Sequence, residues 1–154
     1  MKHCIKYSPR ASLIISALRM QQLKIWEMVQ GEVDIQQKVI VYQPSDKLKD
    51  AFINIMAGGQ GLTEVNSRVR CDSALSRAFG REDCAEQSTI SDTLNACTGV
   101  NVAQMRVALR RIYQRHGQGY AHPYGREWQL LDADMSGMPA GCQGEGVEKG
   151  YFAQ

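Results

Sequence analysis

Asp132 and Asp134 stand two residues apart at the end of "EWQLLDAD", a run that alternates like a strand. A period of two puts Trp128, Leu130, Asp132 and Asp134 on one side, with the two carboxylates about 6 to 7 Å apart along the strand. Carboxylates so placed suit a hard divalent cation such as Mg²⁺, which takes one or two of them and completes its shell with water and phosphate oxygens. In two-metal sites such ions stabilise both the attacking and the leaving oxygen of a phosphodiester. The same residues also read as solvated loop acids, or as caps for the turn at Ser136 and Gly137. The pair by itself leaves both readings open.

A second set of residues offers binding rather than catalysis. From Gly99 to Arg126 run Arg106, Arg110, Arg111, Arg115 and Arg126 with two histidines and no acidic residue. The whole chain carries a net charge of only +2, so this clustering, not the total, points to a polyanion. A solvated basic face is the plainer alternative. Upstream, Gln87, Ser88, Thr89, Ser91 and Asn95 surround the apolar side of a short helix and can reach phosphates or base edges if that helix enters a major groove. Asp92, in the same helix, opposes phosphate.

Five cysteines form no C-x-x-C pair, and an odd number cannot close fully into internal disulfides. The reading is a reducing cytoplasm with buried thiols, including Cys71, Cys84 and Cys97. Lys2, Lys6 and Arg10 before "ASLIISAL" imitate a signal peptide, but Arg19 interrupts the apolar run and no cleavage site follows. The expectation is a cytoplasmic, nucleoid-associated protein without membrane contact.

With 154 residues, 44% hydrophobic and 22% charged, the chain has room for one ordinary domain, or a small one and part of another. Residues 12–29 lack Gly and Pro and predict one first helix. "VIVY" at 39–42 is a short β-like run. In "SDKLKDAFINIMAGG", Ser45 is the expected N-cap, Leu48, Ala51, Phe52, Ile55 and Met56 the apolar face, and Gly58 and Gly59 the stop. Asp72 should cap a helix that buries Leu75 and Phe79 and ends at Gly80. A further helix should place Ile90, Leu94 and Cys97 on one face and end at Gly99. These last two helices suggest a helix-turn-helix, or else a packing pair. The arginine-bearing helix should bury Val102, Met105, Leu109, Ile112 and Tyr113.

Taken in order, "YQPSDKLKDAFINIMAGG", "AEQSTISDTLNAC", "NVAQMRVALRRI" and "LDADMSGMPAG...GVEKGYFAQ" resemble the amino-terminal region and first-aspartate region of DDE-type insertion-sequence transposases. The resemblance implies a mainly α, helix-turn-helix-like DNA-binding and assembly region over 1–117, a linker over 118–126, and the first strands of an RNase H-like α/β domain over 127–154. It also implies Mg²⁺ or Mn²⁺, double-stranded DNA at element ends as partner, a possible homo-oligomer, and strand cleavage and transfer. The first catalytic aspartate would be Asp134, followed by Met135 and Ser136 where the family has a small residue and then Ser or Thr. The larger Met135 leaves Asp132 open. The family's second aspartate and glutamate have no counterpart here, since Glu145 and Glu148 sit in a Gly-rich segment. The expectation is therefore a truncated, catalytically incomplete chain that binds DNA. Its rivals are a non-enzymatic DNA-binding regulator and a helical interaction module.

Overall fold

Lys24 has φ 56°, the left-handed region that side chains with a Cβ rarely adopt, and it breaks the predicted first helix in two. In the computed structural model, which describes residues 7–38 and 41–125, α1 spans Ala11–Gln22 and α2 Ile25–Glu32. Nothing local demands the break; burial does. It lets α1 pack on α5 (Ser73–Ala78) while α2 packs mainly on α7 (Gly99–His116), so Ala17 and Val29 are buried against different partners. Tertiary packing overrides propensity at that point.

Between these elements come α3 (Pro44–Met56), a 3₁₀ turn (Leu62–Glu64) running into α4 (Val65–Arg68), and α6 (Gln87–Asn95). A last 3₁₀ turn spans Gln118–Ala121. The fold is mainly helical, and no strand occurs among the described residues. Val41 and Tyr42 form a bend rather than a strand; Val39 and Ile40 lie outside the described residues, as does all of 126–154, where the RNase H-like strands were expected. The chain divides into two units, Met1–Ala121 and His122–Gln154. No helix among the described residues is long and apolar enough to cross a membrane.

The first unit is organised around α3. Ile53, Val65, Val69, Leu75 and Ile90 are fully buried, and Phe79 nearly so. Trp26, Phe52 and Phe79 continue the core as an aromatic row, with centroids 5.7 and 6.3 Å apart. Of the predicted apolar face of α3, Ala51 is buried and Leu48 and Phe52 half-buried, but Ile55 and Met56 are exposed while Lys47, Asp50 and Asn54 are buried. Each of these polar side chains has a partner, which makes burial tolerable, although Asn54 Oδ1 has none among the described residues. Lys47 Nζ donates to Gln37 (3.1 Å) and Asn54 Nδ2 to the Gly61 carbonyl (3.1 Å). Asp50 accepts two bonds from Arg81 (2.9 and 3.1 Å) and one from the Ala85 N–H (2.7 Å).

Helix ends follow the sequence with small displacements. Gln43, not Ser45, is the N-cap of α3, because Pro44 already has the φ of a first helical residue. Gly58 takes φ 82° to stop it, and a Cβ on Gly59 would lie 2.5 Å from the Asn54 side chain. Asp72 caps α5 as expected, accepting from Leu75 N–H (2.9 Å), and Gly80 turns the chain at φ 75°. Gly99 does not end α6 but begins α7, behind Thr98 as N-cap. Of the cysteines, Cys84 is buried and Cys97 partly so, but Cys71 is exposed, contrary to the expectation for all three.

Candidate nucleic-acid interface

Asn101 fixes where α7 begins. Its Oδ1 accepts from the Thr98 N–H (2.9 Å), and its Nδ2 donates to the Asp34 carbonyl (2.7 Å) and to Gln104 (3.0 Å). Gln104 in turn accepts from the Asp34 N–H (3.1 Å). The segment leaving α2 is thereby tied to the first turn of α7, and the two helices pack along their lengths.

Asn101 and Ala108 are buried and Met105 and Ile112 half-buried, which sets the inward face of α7. The expected apolar stripe is split by this orientation: Val102, Leu109 and Tyr113 are 52, 56 and 51% exposed. Tyr113 is partly covered by Tyr120, whose ring meets it edge-on at 6.0 Å.

The arginines fall into two pairs, each spaced by four. Arg106 and Arg110 occupy one flank and Arg111 and Arg115 the other, about 140° apart at 3.6 residues per turn. Between the flanks, on the side away from α2, lie Ala103, Val107 and Gln114, all exposed. All four arginines are exposed too, but Arg111 is ion-paired with Glu32. Arg106, Arg110 and Arg115 have no acidic partner among the described residues. Cations on both flanks with uncharged side chains between them form an arrangement that a major groove could accept, since phosphates line both its sides and base edges lie between. The arginines were singled out from sequence; Ala103, Val107 and Gln114 were not, although the spacing of four between arginines already implied a gap between two rows.

The five α6 residues divide. Gln87, Ser91 and Asn95 follow one another at spacing four, with Ser88 beside them, and Ser88 and Asn95 are exposed. Thr89 turns towards the core side, its hydroxyl donating to the Glu86 carbonyl (2.7 Å). Buried Ile90 and Thr93 define the inner face; Leu94 is 39% exposed and does not join it. Asp92 is exposed one turn after Ser88, so a phosphate approaching Ser88 also meets a carboxylate. Nor is the predicted helix-turn-helix the unit that is built. α5 takes its main packing from α1 and α6 from α3, across an eight-residue connector held by Asp50 rather than a turn of three or four. The structure sets α6 on α3 and α7 on α2, and does not join them into one reading head.

Asp132 and Asp134, the expected Mg²⁺ or Mn²⁺ ligands, lie outside the described residues, and so do Glu145 and Glu148. No group of three His, Cys, Asp or Glu side chains among the described residues could hold a metal ion. No known protein family, curated protein or solved structure matches the chain.

Proposed function

We propose that this chain binds duplex DNA through α7, serving as the DNA-binding region of a DDE-type transposase. The observation that carries the DNA reading is the two-flanked display of Arg106, Arg110 and Arg115 around Ala103, Val107 and Gln114. Arginine matches phosphate oxygens with a planar array of donors, and cations on both flanks engage two strands at once. The transposase assignment rests on the order of segments resembling that family.

In this reading α6 adds Gln87, Ser88, Ser91 and Asn95 as uncharged contacts, and Asp92 discourages close phosphate approach on one side. Asp134, or Asp132, would hold Mg²⁺ or Mn²⁺, which when bound stabilises the charge that develops on phosphodiester oxygens.

The test is a fluorescence-anisotropy titration of the full chain with duplexes from both flanks of its coding sequence and a scrambled control, at several salt concentrations. Tighter binding to a flank than to the control, weakening linearly in log salt, supports the reading. Equal affinity for all duplexes supports DNA binding but removes end recognition. No binding at low salt overturns the reading in favour of a helical interaction module.

A further inference from the structure

A half-open cleft of about 300 Å³ lies on the side of the unit formed by α1, α2, α3 and the turn after α5. Trp26, Phe52 and Phe79, the aromatic row of the core, line its wall. Its volume is at the lower end of the range for small-molecule sites, enough for one or two fused rings.

The charges around the cleft are unevenly paired, with Arg81 shared by Asp46 (3.1 Å) and Asp50 (2.9 Å). Glu27 pairs with Lys24 (3.5 Å) and Asp46 with Arg81 (3.1 Å), so both acids of the lining are committed. Lys49, also in the lining, has no hydrogen bond or ion pair with the described residues; its ammonium stands 5.8 Å from the centre of the Trp26 ring. Burial first, and then the charge of Arg81, hold it below the ordinary lysine value, against the opposing pull of Asp46 and Asp50. The charged form therefore has only the through-space pull of carboxylates already bound to Arg81, and no direct ion pair, where water solvates it poorly. A second deficit sits in the same wall: Trp26 Nε1 is sealed from solvent with no acceptor among the described residues, although a buried indole N–H normally has one.

We propose that this cleft binds a small planar aromatic carboxylate, its ring against Trp26, Phe52 and Phe79 and its carboxylate on Lys49 Nζ. A single carboxylate gives that ammonium the direct partner it lacks. A dianionic phosphate would leave one charge unmatched beside Glu27 and Asp46, so the carboxylate is the better fit. The site is separate from the arginine rows of α7 and does not depend on the DNA reading.

The test uses the ¹⁵N-labelled full chain and the indole N–H signal of Trp26, distinguished from that of Trp128 by Trp128→Phe. Titrated with 1-naphthoate, the signal should move saturably with Kd below about 1 mM. The neutral 1-naphthalenemethanol should bind at least about tenfold more weakly, as should 1-naphthoate to Lys49→Gln. Should Lys49→Gln fail to fold, Gln30→Trp on the exposed rim obstructs the cleft and should abolish the shift. The proposal is overturned by a titration that does not saturate, by equal binding of the neutral alcohol, by tighter binding of 1-naphthyl phosphate, or by an unaltered response in Gln30→Trp.

Discussion

Arg111 on α7 is ion-paired to Glu32 at the end of α2, while its neighbour Arg110 points to the other flank without an acidic partner among the described residues. Adjacent arginines thus have different work. Arg110→Ala should reduce the slope of log K against log salt by about 0.9, the loss of one phosphate contact, and Arg106→Ala plus Arg110→Ala by about twice that. Arg111→Ala should reduce it less and also loosen the docking of α2, lowering stability by no more than about 1 kcal/mol because the pair is partly exposed. Anisotropy titrations beside urea melts separate the two effects. Equal slopes for Arg110→Ala and Arg111→Ala would mean that the Glu32 pair opens when DNA binds.

Asp50 is fully buried and holds both Arg81 and the Ala85 N–H, so it anchors the connector between α5 and α6 to α3. Asp50→Ala leaves the nearly buried guanidinium with only the partly exposed Asp46 and leaves the Ala85 N–H without an acceptor. A loss of about 3 to 5 kcal/mol follows for breaking such a pair. Adding Arg81→Met to Asp50→Ala should restore part of it, since no uncompensated charge then remains at position 81, although Asp46 loses its own contact. Denaturant midpoints for the single and double variants measure this coupling. A double variant less stable than Asp50→Ala alone would show that the Asp46 contact outweighs the stranded charge.

The same anchor explains what could and could not be read from sequence. The capped start of α5, its buried Leu75 and Phe79, and the glycine stop at Gly80 follow from local chemistry within a few residues, and they were legible. Asp50 and Arg81 are 31 residues apart, and a charged residue in an amphipathic pattern reads as solvent-facing until its partner is known. The polar part of the inward face of α3 was hidden for that reason. On α7, clustered arginine marked the helix, but Asn101 and Gln104 fix its rotation through Asp34, a contact 67 residues away. Of the predicted stripe, Met105 and Ile112 face inward, while Val102, Leu109 and Tyr113 consequently face outward. The cleft was invisible in sequence because its lining comes from four separate segments.

Cys84 and Cys71 should differ sharply in reactivity. Burial, and next the nearby charge of Asp50, push the Cys84 thiol up to about 12, so almost no thiolate forms at pH 8. Cys71 is exposed. Iodoacetamide at pH 8 followed by peptide mass spectrometry should label Cys71 well before Cys84. The shift also gives a pH dependence of definite sign. Above the ordinary value of 9.0 the unfolded chain releases this proton while the folded chain keeps it, so the thiol's contribution to stability is complete below about pH 9 and is lost as pH rises towards about 12. The stability difference between the native chain and Cys84→Ala should accordingly shift against the native chain between pH 8 and pH 11. A constant difference would mean that the thiol is not held in its neutral form by the fold.

Lys24 carries the one positive φ among the described non-glycine residues, and that turn sends α2 away from α1 and brings Trp26 to the cleft. Left-handed backbone costs a residue with a Cβ about 1 to 2 kcal/mol, a cost that glycine escapes. Alanine retains the strain and also loses the Glu27 ion pair, but both partners of that pair are mostly exposed, so its removal matters little. Lys24→Gly should therefore be more stable than Lys24→Ala by about 0.5 to 1 kcal/mol, after the greater freedom of glycine in the unfolded chain is set against the relief. Both variants free Glu27 beside the cleft, so they should weaken 1-naphthoate alike, and by less than Lys49→Gln does. Equal stability of the two variants would show that packing of α2 on α7, rather than the backbone at Lys24, sets the angle between the first two helices. A loss of naphthoate binding in both variants as large as that in Lys49→Gln would instead place the Lys24 ammonium, not only Lys49, against the ligand.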